Sequence, residues 1–236
     1  MLFRVAQQRR KERDRPVLRR QPVAAWHSFQ LRELALRRLE RFHQMRLLQI
    51  IKYAFKYRRR IKAHIERVKH FYVEIVYVGL IPKTDIDMDR VMNHDMDKLK
   101  LKNLVRQAFR YIPGPLSDKE KLAIHNVVME HIKSNRHHCE YWNDGDYATD
   151  GNDCTKMEDT YLYEMCADWA ATSEENGNGL MDWYEKVVNK KFLFSDRQVE
   201  IIRPVCEYLS ELVDPNMKRK DEMTSVKLSR LGVRNH

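Results

Sequence analysis

Residues 161–171 read YLYEMCADWAA. Only Glu164 and Asp168 are charged in this stretch, and apolar residues fall on every side of a 3.6-residue repeat. That spacing predicts a helix buried all round rather than one lying on a surface. Its two carboxylates stand at i and i+4, on one face, in low dielectric. Burying them is costly unless a metal ion, an Arg or Lys, or other donors lie beside them. A salt bridge inside the protein would meet that need as well as a metal.

Working outward, the ten histidines of the chain are placed informatively. His94 and Asp95 are adjacent in Asn93-His94-Asp95-Met96-Asp97-Lys98, just before a predicted helix. Their unequal side-chain lengths can let both reach one divalent ion, although the dipeptide alone is common. Further on, His131, Asn135, His137 and His138 precede Glu140, Tyr141 and Trp142. If the helix continues, 131, 135 and 138 share one stripe and His137 points elsewhere. Histidines that end a helix and complement its dipole are the alternative. His70, 24 residues before His94, is a further imidazole that by itself reads as a surface or core residue.

The punctuation between these segments is that of helices. Ser117 with Glu120, after Pro113-Gly114-Pro115, and Ser195 with Gln198 are predicted capping boxes. Residues 82–87 read as a turn and Asn176 to Gly179 (NGNG) as a loop. No stretch shows the alternating β-branched pattern of a sheet, although 72–78 is ambiguous. From Ala24 to Val78 there is neither Gly nor Pro, and Leu31, Leu34, Leu39, Phe42, Met45 and Leu48 follow helical spacing. One or two long helices are expected there, and the chain reads as all-α.

Charge divides the chain. Residues 1–69 hold 21 Lys or Arg against 5 Asp or Glu, net +16, whereas residues 70–236 hold 23 against 29, net −6. The basic part carries Arg9, Arg10, Arg19 and Arg20 in a Pro-interrupted arm, then Arg37, Arg38 and Arg41, then Arg58, Arg59 and Arg60 beside Tyr53, Phe55 and Tyr57. A solvated helix face explains such residues; so does RNA, whose phosphates meet Arg and whose unstacked bases meet rings. RNA or another polyanion is therefore the partner expected for residues 1–69. The arm is Arg-rich like a mitochondrial transit peptide, but Glu12, Asp14 and the absence of Ser fit that poorly. No run reaches the ~18 apolar residues of a membrane span. The four cysteines form no CxxC pair and read as free thiols of a reducing compartment, cytoplasm or mitochondrial matrix.

Read in order, the chain offers a His, then His-Asp, then one or more His, then Asp, all on predicted helices. That order resembles the HD-domain metal-dependent phosphohydrolase superfamily. The chain also looks like a family of small HD-like proteins with the signatures HDxSK, HxxxNxHHxxYW, EMxADW and a following WY. Here these stand as residues 94–98, 131–142, 164–169 and Trp183-Tyr184. The likeness covers about Val68 to Leu212, with Asp97 where the signature has Ser and Cys139 where Trp is frequent.

The resemblance implies an HD-like helical bundle over residues 62–213. A basic arm (1–23) and a basic amphipathic helical extension (24–61) precede it, and a polar basic tail (214–236) follows. It implies that His70, His94, Asp95 and Asp168 ligate a divalent ion (manganese, iron, zinc, cobalt or magnesium), and that His131, His137 or His138, with Glu164, hold a second ion or a phosphate. Asp95 and Lys98 become candidate catalytic groups for hydrolysis of a nucleotide or other phosphate ester. The competing expectation is a non-catalytic RNA-binding subunit or assembly factor of a ribonucleoprotein particle that keeps the fold, and packing of buried histidines without metal is a third.

Overall fold

A computed structural model describes residues 23–143 and 151–213. The arm residues Arg9, Arg10, Arg19 and Arg20 and the basic tail lie outside them. Among the described residues there are seven α-helices: α1 (Val23–Tyr77), α2 (Met88–Met92), α3 (Leu101–Ala108), α4 (Asp118–Ser134), α5 (Asp159–Asn176), α6 (Leu180–Val187) and α7 (Asp196–Leu212). The architecture is all-α, as composition and punctuation predict. Its sheet content is one parallel pair of two-residue strands, β1 (Asn152–Asp153) and β2 (Phe192–Leu193).

The Gly- and Pro-free stretch forms one helix up to Tyr77, and residues 72–77 of the ambiguous segment are its C-terminal end. The chain divides into compact units at Leu48/Gln49. In the first, Leu34, Leu39, Phe42 and Met45 are exposed, as are Arg37, Arg38 and Arg41. In the second, Ala54, Tyr57, Ile61, His64, Val68, Phe71 and Ile75 alternate three and four residues apart and are all buried. That is one continuous face of a 3.6-residue helix. The helical domain expected from residue 62 thus takes its packing from Ala54 onward.

The core forms around α5. Leu162, Met165, Cys166, Ala167, Ala170 and Ala171 are buried on all its sides, against Val68, Phe71, Tyr72 and Ile75 of α1, Leu180 and Tyr184 of α6, and Ile202, Val205 and Leu209 of α7. A second cluster joins Ala54, Tyr57, Ile61 and Ile65 of α1 to Leu104 and Ala108 of α3. All four cysteines are buried and free. Both capping boxes form: Ser117 and Ser195 each accept from the backbone three residues on, and Glu120 and Gln198 return the bond. Gly177, within NGNG, ends α5 in the left-handed conformation (φ 62°) that glycine adopts without a Cβ clash. No described helix is long and apolar enough to cross a membrane.

Candidate metal centre

The buried face of α1 delivers His64, not His70. Residue 64 falls in the three-four register of Tyr57, Ile61 and Val68, whereas residue 70 is rotated about 120° from it at 100° per residue. His70 is accordingly exposed, with Glu74 3.9 Å away. The expectation that His70 is a ligand is corrected: the first imidazole of the cluster is His64, 6% exposed. Its signal was its place in the apolar stripe, since a histidine at a core position needs a polar partner.

The other ligand candidates arrive on turns and helix ends. After α2 the chain caps at Asn93 and brings in His94, then Asp95 in the left-handed region (φ 56°). A non-glycine residue there is uncommon, and such conformations persist where the surroundings impose them. His131 lies in the last turn of α4. The expected stripe through 131, 135 and 138 does not form, because the backbone leaves the helix at Asn135 (φ −123°, ψ 109°). That break turns both His137 and His138 toward the cluster, and Asn135 Nδ2 sits 3.0 Å from His131 Nδ1. Glu164 and Asp168 come from α5, on one face as their spacing predicts.

Asp95 is the hub, and its carboxylate is enclosed. Its Oδ2 lies 3.5 Å from His94 Nε2 and 3.7 Å from His64 Nε2. Its Oδ1 lies 3.2 Å from His131 Nε2 and 3.7 Å from His137 Nε2. The two oxygens therefore face two different sets of imidazoles. Asp168 Oδ1 belongs to the first set, 2.9 Å from His64 Nε2 and 3.9 Å from His94 Nε2. His138 belongs to the second, its Nε2 2.8 Å from His131 Nε2. Donor atoms of His64, His94 and Asp168 lie close enough together to share an ion, and so do those of Asp95, His131, His137 and His138.

Behind each set stands a ring of carboxylates. Glu164 Oε1 lies 2.9 Å from His94 Nδ1 and 3.3 Å from His137 Nδ1. Asp97 Oδ2 lies 2.9 Å from His131 Nδ1, and Glu175 Oε1 3.2 Å from His64 Nδ1. Each of these four rings thus donates an outer Nδ1–H to a carboxylate and turns Nε2 inward, the outer-shell pattern of metal-bound histidines. Guanidiniums balance the carboxylates in turn. Arg90 Nε donates to Glu164 at 2.7 Å, and Arg60 and Arg67 pair with Glu175, each at 3.3 Å. Sequence reading missed Glu175, Arg67 and Arg90, whose spacing carries no motif. Arg60, expected on a nucleic-acid face with Arg58 and Arg59, is instead committed to Glu175 and to the Tyr111 hydroxyl at 3.1 Å. Arg58 and Arg59 are exposed.

The electrostatics ask for cations at the centre. Burial alone raises the Asp95 pKa, but Lys98, whose Nζ is 2.5 Å from Oδ2, and the surrounding imidazoles hold it well below the usual carboxylate range. Asp168 and Glu164 are likewise held down against burial, by His64 and by His137 and His94 respectively. Burial pushes the His64 imidazolium down, yet hydrogen bonds to Asp168 and Glu175 outweigh it and raise its pKa to about 9. The His64 proton occupies the position at Nε2 that a metal would take. His138 is pushed well below 6.5 by burial and by its neighbours His137 and His131, so it is neutral. Three inward atoms, His94 Nε2, His137 Nε2 and Asp95 Oδ1, are buried with no hydrogen-bond partner. Each such atom costs about 1–3 kcal/mol unless something satisfies it; an ion among His64, His94 and Asp168 would satisfy the first, and one among Asp95, His131, His137 and His138 the other two.

The comparisons bear on family and not on activity. No curated protein and no solved structure matches the chain. A family model described as a family of unknown function, DUF5662, matches residues 53–208, a span that begins one residue before the buried stripe of α1 and takes in every residue of the cluster. The match covers well over half of the sequence, and the chain therefore belongs to the DUF5662 family.

Proposed function

We propose that the protein is a divalent-metal-dependent phosphohydrolase with an HD-type centre. One observation carries this reading. Four imidazoles are anchored through Nδ1 to outer carboxylates and turn Nε2 inward around Asp95, and two of those nitrogens and Asp95 Oδ1 are buried without hydrogen-bond partners. Simple packing of histidines would leave no such atoms, because buried polar atoms are ordinarily paired. His64, His94 and Asp168 would hold one ion and His131, His137 and His138 a second, with Asp95 offering one oxygen to each. The imidazole-rich donor set favours manganese, iron, cobalt or zinc over magnesium.

A divalent ion bound here supplies a water of lowered pKa and positive charge for phosphoryl oxygens. The remaining work falls to the chain's own groups. Lys98 fixes Asp95 and, with Arg60 and Arg110, lines a cavity of about 330 Å³, whose cationic side chains suit an anionic substrate. Asp95 is enclosed and paired to Lys98, so it holds and orients rather than exchanging protons with solvent. Asp168, 18% exposed at its side chain, lines the cavity together with Asp97 and Glu175, and its Oδ1 faces His64 Nε2 at 2.9 Å, where the two would share the first ion. Its four buried free thiols suit a reducing compartment.

The test is elemental analysis of the purified protein beside Asp168→Ala, followed by phosphatase assay of the same samples. Stoichiometric transition metal and turnover in the wild type, both lost in the variant, are the expected result. Absence of metal from the wild type, even after manganese, iron or zinc is added, overturns the reading.

A second reading, compatible with the first, rests on the exposed Arg38, Arg41, Arg58 and Arg59 interleaved with exposed Phe42 and Phe55. In each compact unit such a face suits an RNA or other polyanion.

A further inference from the structure

Two cavities, of about 330 and 280 Å³, meet at the centre. They share Asp168, Thr172 and His138, and both draw further on α5, with Glu175 lining the larger and Trp169, Ser173 and Asn176 the smaller; their remaining walls come from different elements. The larger is bounded by α1, α3 and α4, with Tyr57, Tyr111, Asn103, Gln107, Arg110 and Lys98 among its lining residues. The smaller is bounded by the Cys139–Trp142 turn, α6 and β2, with Trp169, Trp183, Phe192, Asn176, Asn178 and Lys191. Each volume lies near the lower end of the range that holds a small organic ligand.

Both cavities carry the same recognition chemistry. In the larger, the Tyr57 and Tyr111 rings lie 6.2 Å apart beside two amides. Asn103 Nδ2 is tied to the Asp97 carbonyl at 2.8 Å, which leaves the buried Asn103 Oδ1 without a partner and in need of a donor. In the smaller, Trp169 lies edge-on to Trp183 at 6.3 Å and stacks on Phe192 at 6.3 Å, with two amides and Lys191 beside them. Aromatic walls with amides at their edges suit flat rings that bear hydrogen-bonding groups. A phosphate monoester has one such substituent and would fill one cavity. A phosphodiester has two.

We propose that the substrate of this centre is a phosphodiester whose two substituents, each a ring-bearing group up to nucleoside size, occupy the two cavities while the phosphate sits at Asp168 and His138. The inference rests on the phosphohydrolase reading and narrows it. Water adds to phosphorus, one ester P–O bond breaks, and the departing alkoxide or phenoxide takes a proton from the water consumed. The products are one phosphate monoester and one alcohol, and no further reactant is required.

Metal-loaded full-length protein is assayed with bis(4-nitrophenyl) phosphate and with 4-nitrophenyl phosphate. Diphenyl phosphate and phenyl phosphate binding are followed by calorimetry as a readout independent of turnover. The diester is expected to be preferred in kcat/KM roughly ten- to a hundredfold, and diphenyl phosphate to bind more tightly than phenyl phosphate. Trp183→Ala lowers the ratio of diester to monoester turnover and weakens diphenyl phosphate. Because Trp183 also packs on Trp169, the exposed Asn178→Ala is the second variant, with metal content measured in both. A monoester preference, or a ratio unmoved in both variants, overturns this inference and leaves the phosphohydrolase reading standing. A metal-loaded protein that neither cleaves nor binds any of the four compounds overturns both.

Discussion

At the scale of single residues, the centre is decided by which nitrogen of each imidazole is free. His64 and His70 lie on the same helix, six residues apart, and differ in the face they occupy. His64→Ala removes a donor at Asp168 and Asp95, and is expected to lower bound metal to well under stoichiometric. His70→Ala, at an exposed position, is expected to leave metal content unchanged. Equal loss in both, measured by elemental analysis, would exclude His64 as the α1 ligand. Glu164 serves two rings at once, so Glu164→Gln should weaken metal binding by roughly 10–100-fold in a chelator competition. An affinity equal to wild type would show that its bonds to His94 and His137 orient nothing. His94, Asp95 and Lys98 were legible because they sit in a short local motif, and the 131–138 run was legible as a concentration of imidazoles though not in its geometry. His64 and Glu175 were not, because their meaning depends on which way one face of α1 points after it packs.

At the scale of elements, helix boundaries were legible wherever side chains satisfy backbone groups locally. Ser117, Ser195 and Gly177 each solve a terminus within a few residues; the two serines were readable from spacing, and Gly177 only as part of the NGNG loop. The end of α4 was not readable, since Asn135 breaks it one residue beyond Ser134 without Gly or Pro. There the tertiary demand for His137 and His138 at one centre outweighs helical periodicity. Gln198 shows how a cap can also act at long range. Its Oε1 closes the capping box, while its Nε2 donates to the carbonyls of Cys154, at 3.1 Å, and Met157, at 2.8 Å. Gln198→Ala should therefore cost more than the loss of a surface cap. We expect about 2–4 kcal/mol in urea unfolding, against about 1 kcal/mol for Ser117→Ala. Equal costs would mean that the Cys154–Met157 loop does not depend on Gln198.

At the scale of the whole molecule, the all-α class was legible from the absence of strand patterning and from the buried 161–171 segment. The charge division was legible from counting alone, but its use was not, because a composition does not say which arginines stay free. Arg60 and Arg67 are drawn into balancing Glu175, and Arg37 bonds Glu33 at 2.7 Å. Arg38, Arg41, Arg58 and Arg59 are exposed and are the described arginines on which a polyanion reading depends. Replacing these four with Gln removes four charges without touching the metal centre, so metal content should match wild type. If they contact the phosphates of a single-stranded RNA, the slope of log K against log salt should shrink by up to roughly 3, since each neutralised phosphate contributes about 0.7. A mixed-sequence oligonucleotide titrated at several potassium chloride concentrations measures this. A slope identical to wild type would remove these arginines from any polyanion interface, and binding would then have to come from other basic residues or not occur.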